Sequence, residues 1–193
     1  TLTLILALTI PVLAQDQTLL GNDISHGGFG GPVAKFTNID NQFGVLVGGR
    51  GGWIINHSLI LGGGGYGLVQ DNINRRYLGP DEKQYLTMGY FGAMLEYDIH
   101  PSRLVHTSII MLIGGGELNQ ATRHHDSIDI NGATKDNFFV CEPEINVTLN
   151  LVNFMRLGIG GSYRFVSGVE SFGLTNSDIA GPAASLTLRF GNF

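Results

Sequence analysis

Charge, cysteine and long unbroken apolar runs are all scarce in this chain of 193 residues, a length that fits one domain. Charged residues make up 14 %, well below the roughly 25 % of a typical globular domain. A chain so poor in charge is either a Gly-rich soluble β fold or a protein whose outer surface does not face water. Eleven Lys and Arg against sixteen Asp and Glu, with no basic cluster, argue against a general nucleic-acid binder. The one cysteine, Cys141, excludes an internal disulfide and multi-cysteine zinc sites, and reads as a small apolar side chain. Beyond the first residues no stretch approaches the roughly 18 apolar residues in a row that a membrane helix needs. No segment keeps a 3.6-residue apolar period, and the 29 glycines would weaken any helix.

What is present begins with an apolar run, Leu2 to Leu13, interrupted by Thr3, Thr9 and Pro11. Val12-Leu13-Ala14 makes an acceptable small-residue cleavage site before Gln15, and no cysteine follows it to mark a lipoprotein. The run is too short for an anchor, and neither an initiator Met nor a basic segment precedes it. Residues 1–14 are therefore expected to be an export signal that lacks its start. Residues 15–26 would form a short periplasmic leader and 27–193 the folded unit.

Eight apolar-alternating segments follow, near 29–38, 43–55, 58–69, 85–98, 104–117, 138–149, 154–166 and 181–190. The connections alternate in length. Asn56-His57, His100-Pro101-Ser102 and Asn150 to Asn153 are tight, whereas 70–84, 119–137 and 167–180 are long and polar; Ile39 to Gln42, though short, falls on the long-loop side. Short turns at one rim and long loops at the other are the habit of outer-membrane barrels.

The faces decide between barrel types. One face of the sixth segment carries Phe139, Cys141, Pro143, Ile145, Val147 and Leu149; the other carries Glu142, Glu144, Asn146 and Thr148. Across all eight segments the apolar faces hold one charge, Glu117, at a loop-side end. The opposite faces hold Lys35, Arg50, Arg156, Arg164 and Arg189 with Glu96, Asp98, Glu142 and Glu144, five positive and four negative groups. A soluble barrel would put charges on its wet outer face, so the exclusion predicts inverted polarity: apolar residues towards lipid, paired charges inside. In hydrocarbon no sheet edge is tolerated, so the barrel must close. The expected fold is all-β, an eight-stranded antiparallel up-and-down transmembrane β-barrel with a lumen about wide enough to be filled by side chains. Inward glycines at 48, 52, 63, 65, 92, 114, 116, 158 and 160 would leave room for long charged side chains. Trp53 and Tyr97 would form one aromatic girdle, and Tyr66, Tyr85, Phe139 and Phe165 the other.

This architecture resembles the small OmpA/OmpX-like outer-membrane barrels of Gram-negative bacteria, over roughly residues 27–193. The alternating end, Ser185-Leu-Thr-Leu-Arg-Phe190-Gly-Asn-Phe193, is similar to the family's terminal assembly signal. The resemblance implies an outer-membrane location, outer-membrane lipid and lipopolysaccharide as surroundings, and the barrel-assembly machinery as a partner in biogenesis. Phe190 and Phe193 would carry that signal. Phe193, however, has the parity of Arg189.

The candidate chemistry is sparse. A barrel-borne lipid-modifying enzyme would need a nucleophile beside a base. His106 and Ser108 invite that reading with Glu117, yet at about 3.4 Å per residue the strand puts His106 and Glu117 more than about 30 Å apart. A tight turn at Pro101 instead pairs His106 with Glu96 inside the barrel. Arg123-His124-His125-Asp126 is a metal-like cluster better read as solvated loop. Gly62 to Gly65 lacks the helix and Lys-Ser/Thr of a phosphate loop. No cofactor, metal or catalytic set is expected. Lys35, Arg50, Glu96, His106, Glu142, Glu144, Arg156, Arg164 and Arg189 are expected to form a structural network in a plugged lumen. The expected function is a non-enzymatic surface protein, structural or adhesive, with an unidentified extracellular ligand. A narrow channel is the alternative, and a lipid-modifying enzyme the remoter one.

Overall fold

The computed structural model describes residues 25–69, 74–79, 82–124, 127–129 and 135–193, with side chains at 25–69, 86–119 and 135–193. The expected signal and leader lie outside these residues, apart from Ser25 and His26. Eight long strands make the barrel: β1 (His26–Ile39), β2 (Gln42–Ile55), β3 (Leu59–Leu68), β5 (Glu82–Ile99), β6 (Val105–His124), β8 (Asp136–Val152), β9 (Met155–Ser167) and β10 (Gly181–Asn192). Two short strands, β4 (Asn74–Gly79) and β7 (Ser127–Asp129), pair with the loop-side ends of β5 and β6. Each long strand pairs antiparallel with its sequence neighbours, and β1 pairs with β10, so the sheet closes with no free edge along the barrel.

Turn chemistry explains the tight rim. Asn56 and His57 both take positive φ, 50° and 60°, a left-handed pair that Asn tolerates, and with Ser58, whose N–H donates to the Ile55 carbonyl at 3.2 Å, they make a three-residue connection. Asp40 and Asn41 take the same left-handed pair at the other rim, with φ of 50° and 59°. Two of the expected turns are displaced. The β5–β6 connection runs over 100–104, and β8 continues to Val152 past an irregularity between Asn150 and Val152.

The longer connection changes a register. Asp98 pairs with Ser108 and Glu96 with Ile110, so Glu96 does not face His106 as the tight-turn reading expects. The third strand also has the opposite phase to the one read from sequence. Because Gly48 pairs with Tyr66, the inward positions of β3 are Ile60, Gly62, Gly64 and Tyr66, while Gly63 and Gly65 look outward. Tyr66 is accordingly buried inside and belongs to no girdle. A run of four glycines carries no facing signal, so alternation cannot set the phase there.

Several inward glycines stand where a side chain would collide with the lumen groups. A Cβ at Gly160 would sit 2.7 Å from the Ser185 hydroxyl and 2.9 Å from Glu144 Oε1. One at Gly64 would lie 3.2 Å from Arg50 Cβ. The missing side chains are the space those groups occupy.

Candidate functional site

Alternation on a closed wall aims one residue in two at the axis, and here the inward set is charged at mid-height. Two clusters result. In the first, Glu142 and Glu144 of β8 face Lys35 of β1 and Arg50 of β2. Lys35 Nζ lies 2.8 Å from Glu142 Oε1 and 3.6 Å from Glu144 Oε2, and Arg50 Nη1 lies 3.0 Å from Glu144 Oε1. Hydroxyls fill the remaining lone pairs: Tyr90 donates to Glu142 Oε2 at 2.7 Å, Ser162 to Glu142 Oε1 at 2.6 Å, and Ser185 to Glu144 Oε1 at 2.9 Å. The Lys35 ammonium also sits 4.0 Å from the centre of the Tyr66 ring.

The second cluster lies nearer the short-turn rim. Arg189 pairs with Glu96. Asp98 collects four neighbours: Arg156 Nη1 at 3.6 Å, His106 Nε2 at 3.8 Å, Arg189 Nη1 at 3.9 Å, and the Ser108 hydroxyl, which donates at 2.5 Å. Two carboxylates therefore hold two guanidiniums, with one imidazole beside them. His106 is in this set, next to Asp98 instead of Glu96. Ser108 hydrogen-bonds Asp98 and not His106, and Glu117 is on the outward face at the far rim. That side chain instead accepts from Asn119 at 2.6 Å and from Lys135 at 3.2 Å. The nucleophile–base–acid set is thus not assembled.

Arg164 belongs to neither cluster. Its Nε and Nη2 donate to the main-chain carbonyl of Ile179 at 3.0 and 2.8 Å, and Nη2 also reaches the Thr37 hydroxyl at 3.5 Å. Ile179 ends the one-turn helix α1 (Asn176–Ile179) in the connection between β9 and β10. Val169, Leu174 and Ile179 of that connection are buried against Ile39, Leu46, Leu86, Leu118 and Val140, an apolar layer at the loop-side mouth. Among the described residues, the expected carboxylate partner of Arg164 is replaced by this carbonyl.

Sequence reasoning missed Asp98 as the hub of its cluster and the hydroxyl donors around the glutamates. Their inward parity was readable; their partners depend on cross-barrel distance. It missed the inward connection as well, although Thr175-x-x-Asp178 followed by Ile179 is a helix-start pattern; the Thr175 backbone N–H donates to Asp178 Oδ2 at 2.7 Å. The side chains of Arg123 to Asp126 and of Tyr85 lie outside the described ones.

The outward face is the converse. Val47, Trp53, Leu61, Phe91, Leu95, Ile109, Ile113, Phe139, Ile145, Val147, Ile159, Phe165 and Leu186 are exposed there. Among described strand side chains, Glu117 is the one charge on that face. Phe190 is exposed with them, whereas Phe193 turns inward, its ring 6.3 Å from that of Phe29 and 3.9 Å from the Arg156 guanidinium.

No protein-family model matches the chain. No curated protein matches it either. Among solved structures, Neisserial surface protein A is similar over 87 % of this chain and 98 % of its own, at 13 % identity and a TM-score of 0.53. The N-terminal β-barrel domain of Pseudomonas aeruginosa OprF covers 86 % of this chain and 96 % of its own, at 9 % identity and a TM-score of 0.51. Ail of Yersinia pestis, in complex with the heparin analogue sucrose octasulfate, covers 86 % and 97 % at 10 % identity and a TM-score of 0.50. A closed meander of eight antiparallel strands, apolar outside and charged within, is the fold of the small OmpA/OmpX-like outer-membrane barrels, and this chain has it.

Proposed function

We propose that this protein is an integral outer-membrane barrel with a closed lumen, whose long loops meet the cell's surroundings in a structural or adhesive role. One observation carries the reading: the described charges of the strands point inward, with Glu117 the exception, while exposed Leu, Ile, Val and Phe cover the outside. In water such a surface, far larger than the few hundred Å² of a typical monomer's apolar patch, would drive aggregation. In lipid it is the solvated face, and closure of β1 on β10 removes the free sheet edge that hydrocarbon would not tolerate. The lumen clusters and the apolar layer beneath the β9–β10 connection support closure of the axis, which favours a surface protein over a channel. Export through residues 1–14, the lipid and lipopolysaccharide surroundings, and assembly through Phe190 belong to the same reading.

Cell fractionation combined with labelling of intact cells tests it. Cysteines placed in the 70–84 and 167–180 connections, in a Cys141→Ser background, should react with a membrane-impermeant maleimide in whole cells. One at Ser102 should react only after the envelope is broken. Recovery of the protein in the soluble fraction, or labelling with the opposite polarity, would contradict the proposal.

A further inference from the structure

The β9–β10 connection is built differently from the rest of the lumen. Lys35, Arg50, Arg156 and Arg189 each have a carboxylate within 4 Å. Arg164, fully buried, ends every hydrogen bond it makes among the described residues on a neutral oxygen, and its Nη1 has no protein partner. The side chain also lies 5.8 Å from the Tyr90 ring centre, directly below the apolar layer. Arg164 is therefore, among the described residues, the inward strand cation with no carboxylate within 4 Å. What it holds is the carboxyl end of α1, and through it the residues that cover the mouth.

The covering segment is hinged and pinned. Gly168 has a φ of 101° and Gly173 one of 66°, conformations that other residues rarely adopt and that glycine enters freely. Its start is fixed by the Asp136 carboxylate, which accepts from the Glu170 and Ser171 backbone N–H groups at 2.9 and 2.7 Å. Its far end is fixed by Arg164 and by the Asp40 N–H, which donates to the Asp178 carbonyl at 2.8 Å. A carboxylate or phosphate can take a guanidinium through two parallel N–H bonds and neutralise its charge, whereas the Ile179 carbonyl offers one neutral oxygen.

We propose that residues 168–180 are a displaceable plug latched by Arg164, and that a soluble oxyanion releases it by taking the guanidinium from the Ile179 carbonyl. This rests on the closed-lumen reading and adds the regulation of that closure. The plug faces solvent above the apolar belt, so the anion comes from solution and not from a lipid headgroup.

Thiol accessibility at Ile179 reads the latch directly. The Cys141→Ser, Ile179→Cys protein, folded in a neutral detergent, is exposed to a water-soluble thiol reagent. Slow labelling is expected, accelerated about tenfold by Arg164→Gln, the loss of one to two bonds to a charged donor. Inorganic phosphate should speed labelling relative to chloride at matched ionic strength, and should have no effect in Arg164→Gln. The phosphate effect should also be the same when phosphatidylglycerol is added to the detergent. Equal labelling rates with and without Arg164 would overturn the latch. A phosphate effect that persists in Arg164→Gln would overturn the anion's role, and one reproduced by the lipid alone would overturn its soluble source. Heat-modifiable gel migration reports whether each variant folds; where Arg164→Gln does not, Arg164→Lys, which keeps the charge without the fork, is expected to give the intermediate rate. A conducting wild-type barrel would contradict the closed lumen while leaving this labelling contrast readable.

Discussion

Lys35 and Glu142, 107 positions apart in sequence, meet across the lumen at 2.8 Å, joining the first strand of the barrel to β8. Both are almost wholly buried, at 1 % exposure. A pair so placed adds little by existing, because its desolvation offsets its attraction. Breaking it leaves a buried charge. Lys35→Met is therefore expected to destabilise the folded barrel by about 3–5 kcal/mol in urea titrations, and Glu142→Gln by a similar amount. The double variant should lose less than the sum of the two. Additive losses would show that the two groups do not act as a pair.

The outward face gives a second prediction. Ile145 and Ile159, both 62 % exposed, sit mid-belt on β8 and β9. Ile145→Arg and Ile159→Arg should each cost about 2–4 kcal/mol in lipid vesicles, whereas Ile145→Leu should cost less than about 1.5. Ser162→Ala, on the inward face of β9 opposite Glu144, is no silent control: its hydroxyl donates to Glu142, so a loss of about 1.5–3 kcal/mol is expected. Arginine variants as stable as the wild type would put the belt in water.

The third prediction concerns pH at the loop-side rim. The Glu170 backbone N–H, and after it that of Ser171, hold the Asp136 carboxyl below the usual aspartate value. A depressed pKa stabilises the structure above the unfolded value, near pH 4, and the contribution is lost as pH falls through the folded value. The amides of Glu170 and Ser171 should keep their hydrogen-exchange protection at neutral pH and lose it selectively below about pH 4. Asp136→Asn should remove that acid dependence. Unchanged acid sensitivity in Asp136→Asn would place the titrating group elsewhere.

Much of this molecule is legible in its sequence, and the limits have physical causes. Strand alternation fixed the inward side of Glu142, Glu144, Arg156, Arg164 and Arg189, because a period of two leaves each residue one choice of face. Phase was lost in Gly62–Gly65, where no side chain marks a face. Partner choice depends on turn length, which strand pattern does not set: the 100–104 connection moves His106 from Glu96 to Asp98. Arg164 could not be paired from strand pattern at all. Its acceptor is a backbone carbonyl in a connection whose inward packing depends on the closed barrel beneath it.

The chain's end provides a fourth prediction. Phe190 lies on the outward face, while Phe193 stacks near Phe29 and covers the Arg156 guanidinium at 3.9 Å. Phe193→Ala should cost the folded barrel about 1 kcal/mol, the scale of a partly exposed cation–π contact, and should leave assembly in cells nearly unchanged. Phe190→Ala should slow assembly in cells while altering urea stability little. If the two variants exchange these phenotypes, the assembly role belongs to Phe193.

The central claim, a membrane barrel whose axis is closed by its own side chains, is tested most directly by planar-bilayer conductance of the refolded protein. The charge clusters and the apolar layer around Ile179 predict no sustained open steps for the wild type at neutral pH, with insertion verified by vesicle co-flotation. Stable ohmic steps of the size expected for a water-wide pore would contradict it.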